Sequence, residues 1–358
     1  MGLMEKSGYK SHSTKEEIQK YFDTDAISQS TLKKLLAGMD KYVRKETSET
    51  DQKETEAMLI GSVVDCVLLH EEGDFDKTYY ISDREIDLSD IEKTMVQSVY
   101  EKAKTAPPGK RNMEEYANEI GETVCQFNWQ PNWKPETRIN KLTEKGREYF
   151  RELFATEGKK IITRDVMNKV DKVVESLTTH PRTKNYFVRD ASPSSNIEVY
   201  KQKPLYFLMD GKECKALLDI MIIDTSDEKK INVYIFDLKT MSEPVSYFPS
   251  SVKRFRYDIQ AAWYLKAVEE VIEKPFKKLG GREDIVFSYA FINIVESVNY
   301  PGNPALYQYS SNLIKLGRFG GDGEKGYEKL FKEFMFYELT GWKEDLFTAK
   351  GDIIMLEP

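Results

Sequence analysis

The chain has 358 residues, of which 40% are hydrophobic and 32% charged, with a formal net charge of −7. That balance is the one expected of an ordinary folded soluble protein and excludes a disordered or membrane-embedded chain. No apolar run approaches the roughly 20 residues of a spanning helix. The negative charge excludes a uniformly basic DNA-coating surface but leaves room for a local basic channel.

Cys66, Cys125 and Cys214 are too few and too scattered for a disulfide framework, which predicts a reducing interior. They also exclude an iron-sulfur cluster, which needs four ligands at short spacings. His12, His70 and His180 form no zinc pattern. The start of the chain, Met1 to Gly8, lacks an apolar signal core, and Lys6 breaks a myristoylation pattern.

In chain order, Ser28 or Ser30 is placed to cap a helix through Leu32, Leu35 and Leu36, with Gly38 as its stop. A charge-dense stretch from Lys41 to Glu56 leads into an apolar helix over residues 57 to 70. Residues 71 to 135 read as an elaboration, broken at Pro107-Pro108-Gly109, with Phe127, Trp129 and Trp133 expected to pack a satellite core. From Thr163, Val166, Met167, Val170, Val173, Val174 and Leu177 recur at helical spacing until Pro181.

The informative region follows. Lys215 to Ile223 is apolar except for its start and Asp219, and reads as a buried strand whose carboxylate needs a partner. A polar turn over 224 to 230 leads to a second apolar run, 231 to 236, ending in Asp237-Leu238-Lys239. Strand side chains alternate, so Asp237 and Lys239 share a face and Leu238 points away, while Asp219 lies across the ladder. Carboxylates so placed suit a hard divalent cation and phosphodiester hydrolysis, with the lysine orienting the attacking water and offsetting transition-state charge. An Asp-x-Lys alone is short and common, and most examples are surface ion pairs.

Flanking residues sharpen the pattern. Glu198 sits in a strand-like alternation, expected one hairpin before Asp219 with its turn over Gln202 to Leu205, where it would add or position a metal ligand. Residues 253 to 268 have helical character, placing Arg256, Gln260 and Tyr264 at successive i, i+4 positions on one face as phosphate-facing candidates. Lys253, Arg254 and Arg256, interleaved with Phe255 and Tyr257, are the best local candidates for DNA backbone contacts. Beyond that helix, 285 to 295 and 305 to 309 read as strands and 327 to 342 as a helix. The Gly320 to Gly326 stretch lacks the Gly-Lys-Ser/Thr ending of a phosphate loop, so ATP binding is rejected there.

The order Glu198, Asp219, Asp237-x-Lys239, Gln260, Tyr264 resembles the PD-(D/E)XK nuclease superfamily, and most closely the C-terminal branch represented by RecE (exonuclease VIII). Ile27-Ser28-Gln-Ser30, Gly61-Ser-Val-Val-Asp65 and Thr179-His180-Pro181 fit that branch's layout, so the resemblance spans most of the chain. The resemblance implies an α/β restriction-endonuclease-like core, a central mixed β-sheet flanked by helices, with an N-terminal helical elaboration. One elaborated domain over 1–358 is expected, with 1–160 mainly helical and 161–358 catalytic.

The resemblance further implies Mg²⁺, with Mn²⁺ as an alternative, held by Asp219, Asp237, Glu198, the Leu238 carbonyl and Asp65. Asp65 stands where the branch carries a histidine approaching the metal, and an aspartate there would shift metal preference. Gln260 and Tyr264 would contact the phosphate or assist Lys239. The expected activity is ATP-independent digestion of duplex DNA from an end, by a cytoplasmic homo-oligomer of a bacterial or phage-infected cell working beside a single-strand annealing protein. Two alternatives stay open: an endonuclease of the same superfamily, which would cut closed circles, and a catalytically silent DNA-binding or interaction protein.

Overall fold

The structure, a computed structural model, describes residues 13–39, 42, 55–84, 87–105, 107–187, 196–279, 284–321 and 323–342. Most of the charge-dense stretch from Lys41 to Glu56, and His12, lie outside the described residues. Two compact units emerge. One comprises 50–67 and 72–172, and the other 1–49, 68–71 and 173–358. The elaboration expected at 71–135 is therefore a larger unit than the sequence reading drew.

The smaller unit is a helical cluster with one short parallel ribbon, β1 (Tyr79–Ser82) against β2 (Lys160–Thr163). Helices Asp90–Ala103, Ala117–Gln126 and Pro135–Ala155 bury Met95, Val96, Val99, Ile120, Val124, Leu142, Phe150 and Leu153 together. Ser89 and Glu92 form a capping box at the first of these, and Glu92 is also paired with Lys145 at 3.0 Å. Trp129 is buried in this core and meets Trp133 edge-on, as the aromatic-rich sequence implied.

The larger unit is built on a five-stranded sheet in the order β3 (Ile197–Met209), β4 (Lys212–Asp227), β5 (Lys230–Met241), β6 (Val286–Ser297), β7 (Ala305–Gln308). Sequential strands pair antiparallel except β5 and β6, which run parallel and need a crossover. The crossover carries helices Phe248–Phe255, Tyr257–Val268 and Lys274–Lys278. The sheet is thus mixed, with helices against it, which is the architecture the resemblance implied.

One turn differs from expectation. The segment Gln202 to Leu205 is not a turn but the middle of β3, and the chain reverses at Asp210-Gly211. Both turn residues have positive φ, 47° and 81°, as a two-residue hairpin of matching twist requires. Gln202 itself has φ of 49°, a local kink that lets the strand run on through Pro204.

Helix Tyr257–Val268 is apolar nearly all round and is correspondingly buried, with Ile259, Ala261, Trp263, Ala267 and Val268 fully enclosed. It packs on β4, where the Trp263 indole donates to the Lys215 carbonyl at 3.0 Å, and against helices Gln29–Lys34, Ser311–Phe319 and Tyr327–Leu339. The approach of Ser311–Phe319 is close enough to demand glycine: a Cβ on Gly317 would stand 2.0 Å from the Asp258 carbonyl oxygen. Gly317→Ala should therefore push the two helices apart and destabilise the fold by about 1–3 kcal/mol. Urea denaturation monitored by tryptophan fluorescence checks this, and an unchanged midpoint would contradict the contact.

Candidate active site

The site lies where β4 and β5 part. Their last paired rung is Ile220 with Phe236, and the next residues along are Asp219 and Asp237. Two carboxylates thereby come from adjacent strands onto one sheet face. Asp219 Oδ2 accepts the Leu238 backbone N–H at 2.8 Å, which ties the separated strands across the gap. Gln202, opposite Asp219 in the β3 register, donates to its other oxygen at 3.4 Å.

Asp237 is 1% exposed and meets three side-chain donors. Lys239 Nζ approaches Oδ2 at 2.6 Å, confirming that the i and i+2 side chains share a face. Asn293, its register partner on parallel β6, donates to Oδ2 at 2.7 Å, and Gln260 donates to Oδ1 at 2.8 Å. Gln260 also donates to the Tyr264 hydroxyl at 3.1 Å. Gln260 and Tyr264 are both buried, so in this structure they brace Asp237 from the helix above rather than lie open toward a ligand.

The electrostatics follow from that crowding. Burial and the neighbouring Asp237 charge raise the Asp219 carboxyl to about 7, against the opposing pull of Lys239 and the Leu238 N–H. Burial disfavours charge on Lys239, but Asp237 and Asp219 together outweigh it and hold the ammonium above its ordinary value. Burial first, then Asp237, pushes the Tyr264 phenol well up, so it stays protonated and able to donate.

Two sequence expectations are corrected. Glu198 pairs with Ile223, four residues along β4 from Asp219 and so about 13 Å away at the rise of a strand. Its carboxylate accepts instead from the Tyr200 hydroxyl. It does not join the carboxylate pair, and among the described residues no group of three or more His, Cys, Asp or Glu side chains could hold a metal. The error traces to the misplaced turn: a hairpin over Gln202 to Leu205 would have changed the register.

Arg256 is the second correction. The helical run of 253 to 268 is interrupted there, because Arg256 takes a left-handed φ of 51° between helices Phe248–Phe255 and Tyr257–Val268. Its guanidinium grips both oxygens of Asp258 at 2.9 Å and reaches Glu324 at 2.7 Å. It is buried and spent on the protein, so it is not a DNA-backbone contact on a common face with Gln260. Lys253 and Arg254, on the exposed side of the preceding helix, stay available to solvent.

Asp65 lies on helix Glu56–Leu69, in the smaller unit. Conversely, the sequence reading assigned no site role to Asn293 or Gln202, which donate to Asp237 and Asp219. Asn293 carried a signal: a lone amide inside the apolar run 285 to 295 demands a buried partner, by the same logic that singled out Asp219.

A mixed sheet that opens to present one aspartate on a strand and Asp-x-Lys on the next has the layout of the PD-(D/E)XK class of nuclease scaffold. The chain belongs to the family described as PDDEXK-like domain of unknown function (DUF3799), whose pattern it matches over residues 28–279. No curated protein matches the sequence. Among solved structures, it is similar to a candidate exonuclease from Eubacterium rectale at 12% identity and a TM-score of 0.44, over 98% of this chain and 96% of that one. A likeness that loose carries no argument about activity.

The raised Asp219 carboxyl has a measurable consequence. Its folded value of about 7 exceeds the ordinary 3.8, so the folded state binds the proton more tightly than the unfolded one between those pH values. Without metal, this group's contribution to stability is present at low pH and is lost as pH rises through about 7. Asp219→Asn should remove that loss and gain in stability on the wild type as pH rises across the same window. Denaturation curves in EDTA at several pH values test it; parallel pH profiles for the two proteins would refute it.

Proposed function

We propose that this protein is a Mg²⁺-dependent deoxyribonuclease that hydrolyses DNA phosphodiester bonds, with Mn²⁺ as an alternative ion. The observation that carries the reading is the pairing of Asp219 and Asp237 on neighbouring strands with Lys239 at 2.6 Å from Asp237. Two carboxylates on one face with a single contacting ammonium form an all-oxygen, anionic donor set, which fits a hard divalent cation. Mg²⁺ in particular is commonly held by one or two carboxylates, with water and substrate phosphate completing its shell. Asp219, Asp237 and the Leu238 carbonyl would hold it. Bound there, it would activate water and offset the charge of the attacked phosphate.

The chain's own residues divide the remaining work. Lys239 orients the attacking water and places positive charge where the transition state accumulates negative charge. Asn293 and Gln260 fix Asp237 so that its oxygens do not swing with the substrate, and Tyr264 holds Gln260. Lys253 and Arg254 supply positive charge for the DNA backbone on a molecule otherwise net acidic. We extend the reading to a RecE-like exonuclease that needs a duplex end and no ATP, acts as a homo-oligomer beside an annealing protein, and serves recombination or phage DNA metabolism. The resemblance of the Asp219, Asp237-x-Lys239, Gln260, Tyr264 order supports that extension.

The test is incubation of linear and covalently closed duplex DNA with wild type, Asp237→Ala and Lys239→Ala in Mg²⁺, Mn²⁺ or EDTA. Metal-dependent loss of linear DNA alone is expected, with each variant slowed by about 10²-fold or more. Cutting of closed circles would replace the exonuclease reading with an endonuclease one. Equal digestion by wild type and variants would remove Asp237 and Lys239 from the chemistry.

A further inference from the structure

Helix Gln29–Lys34, capped by Ser28, brings to the site a cation that the acid-acid-lysine set does not use. Lys33 is half-buried, and its ammonium lies 5.5 Å from the centre of the Tyr257 ring. The Lys239 ammonium lies 5.5 Å from the centre of the same ring. One aromatic side chain thus meets both lysines, and the two ammonium groups stand on the order of 10 Å apart or less, within reach of one phosphodiester and its neighbours.

The two cations differ in one respect. Lys239 is matched by Asp237 at 2.6 Å. The Lys33 ammonium makes no hydrogen bond or ion pair among the described residues beyond its approach to Tyr257. The acids whose field reaches it are already taken, Asp237 by Lys239 and Asp258 by both nitrogens of the Arg256 fork. Burial, and then repulsion from Lys239, lower its pKa to about 8. An ammonium desolvated without an anion costs stability, which its approach to the Tyr257 ring offsets only in part.

We propose that Lys33 is a second catalytic lysine, whose ammonium binds a non-bridging oxygen of the scissile phosphodiester and offsets the negative charge that grows there during attack. The proposal rests on the nuclease reading and deepens it: the missing anion of Lys33 is the substrate's. Lys239 serves the attacking water beside Asp237, and Lys33 grips the phosphate from the neighbouring helix across Tyr257. The two are not interchangeable, because only Lys239 is tied to a carboxylate.

The experiment compares wild type, Lys33→Met and Lys33→Arg on linear duplex DNA in Mg²⁺, with steady-state kinetics and thermal melting in EDTA. Lys33→Met should lower kcat by about 10²-fold with KM changed less than threefold, and Lys33→Arg should restore part of the rate. In EDTA the melting temperature of Lys33→Met should rise by a few degrees, because an unpaired charge has been removed from the interior. A variant within twofold of wild type, a loss confined to KM, or a loss of rate accompanied by a lower melting temperature would each overturn the proposal. Wild-type protein that cuts no DNA in any metal would instead defeat the nuclease reading, and this one with it.

Discussion

The site depends on one buried carboxylate. Asp237 is held by three donors from three different elements: Lys239 on its own strand, Asn293 on β6 and Gln260 on the crossover helix. A charge buried at 1% exposure persists only if it is paired and hydrogen-bonded, so these contacts bind the fold and the site into one problem. The parallel pairing of β5 with β6 supplies Asn293 in register, and the crossover that parallel pairing requires supplies Gln260. A sheet without that crossover would leave Asp237 half answered.

Against this satisfied carboxylate stand two groups held in tension. Asp219, one strand over, has fewer donors and is pushed toward its neutral form by burial and by Asp237. Lys33 has no protein anion and is pushed toward its neutral form by burial and by Lys239. An acid short of positive charge and a base short of negative charge, both within the field of one settled pair, are the basis of the proposed metal and phosphate contacts.

How much of this could be read in the chain is uneven, and the reasons are physical. Asp237 and Lys239 were legible because strand alternation is strictly local: i and i+2 share a face whatever the rest of the molecule does. Asp219 was legible because a carboxylate in an apolar run advertises its need for a partner. Glu198 was misjudged because its place depends on register, and register depends on where the chain turns. The Asp210-Gly211 pair carried the turn, while Pro204 in an edge strand suggested a break that the kink at Gln202 absorbed. Arg256 was misjudged because helical periodicity does not reveal a single left-handed residue between two helices.

By itself, then, the sequence determined the order of strands and helices, the hairpin that carries the acidic pair and the Asp-x-Lys face, all of which arise from contacts between near neighbours along the chain. Only the tertiary structure decided how distant side chains meet Asp237: Asn293 through parallel register, and Gln260, already a candidate by its spacing, as a brace held in a buried helix with Tyr264; it also brought Lys33, nearly two hundred residues upstream of Asp219, to the ring that Lys239 meets. Those partners are chosen by long-range packing, and no local pattern of apolar and polar residues encodes which buried charge is left without a counterion.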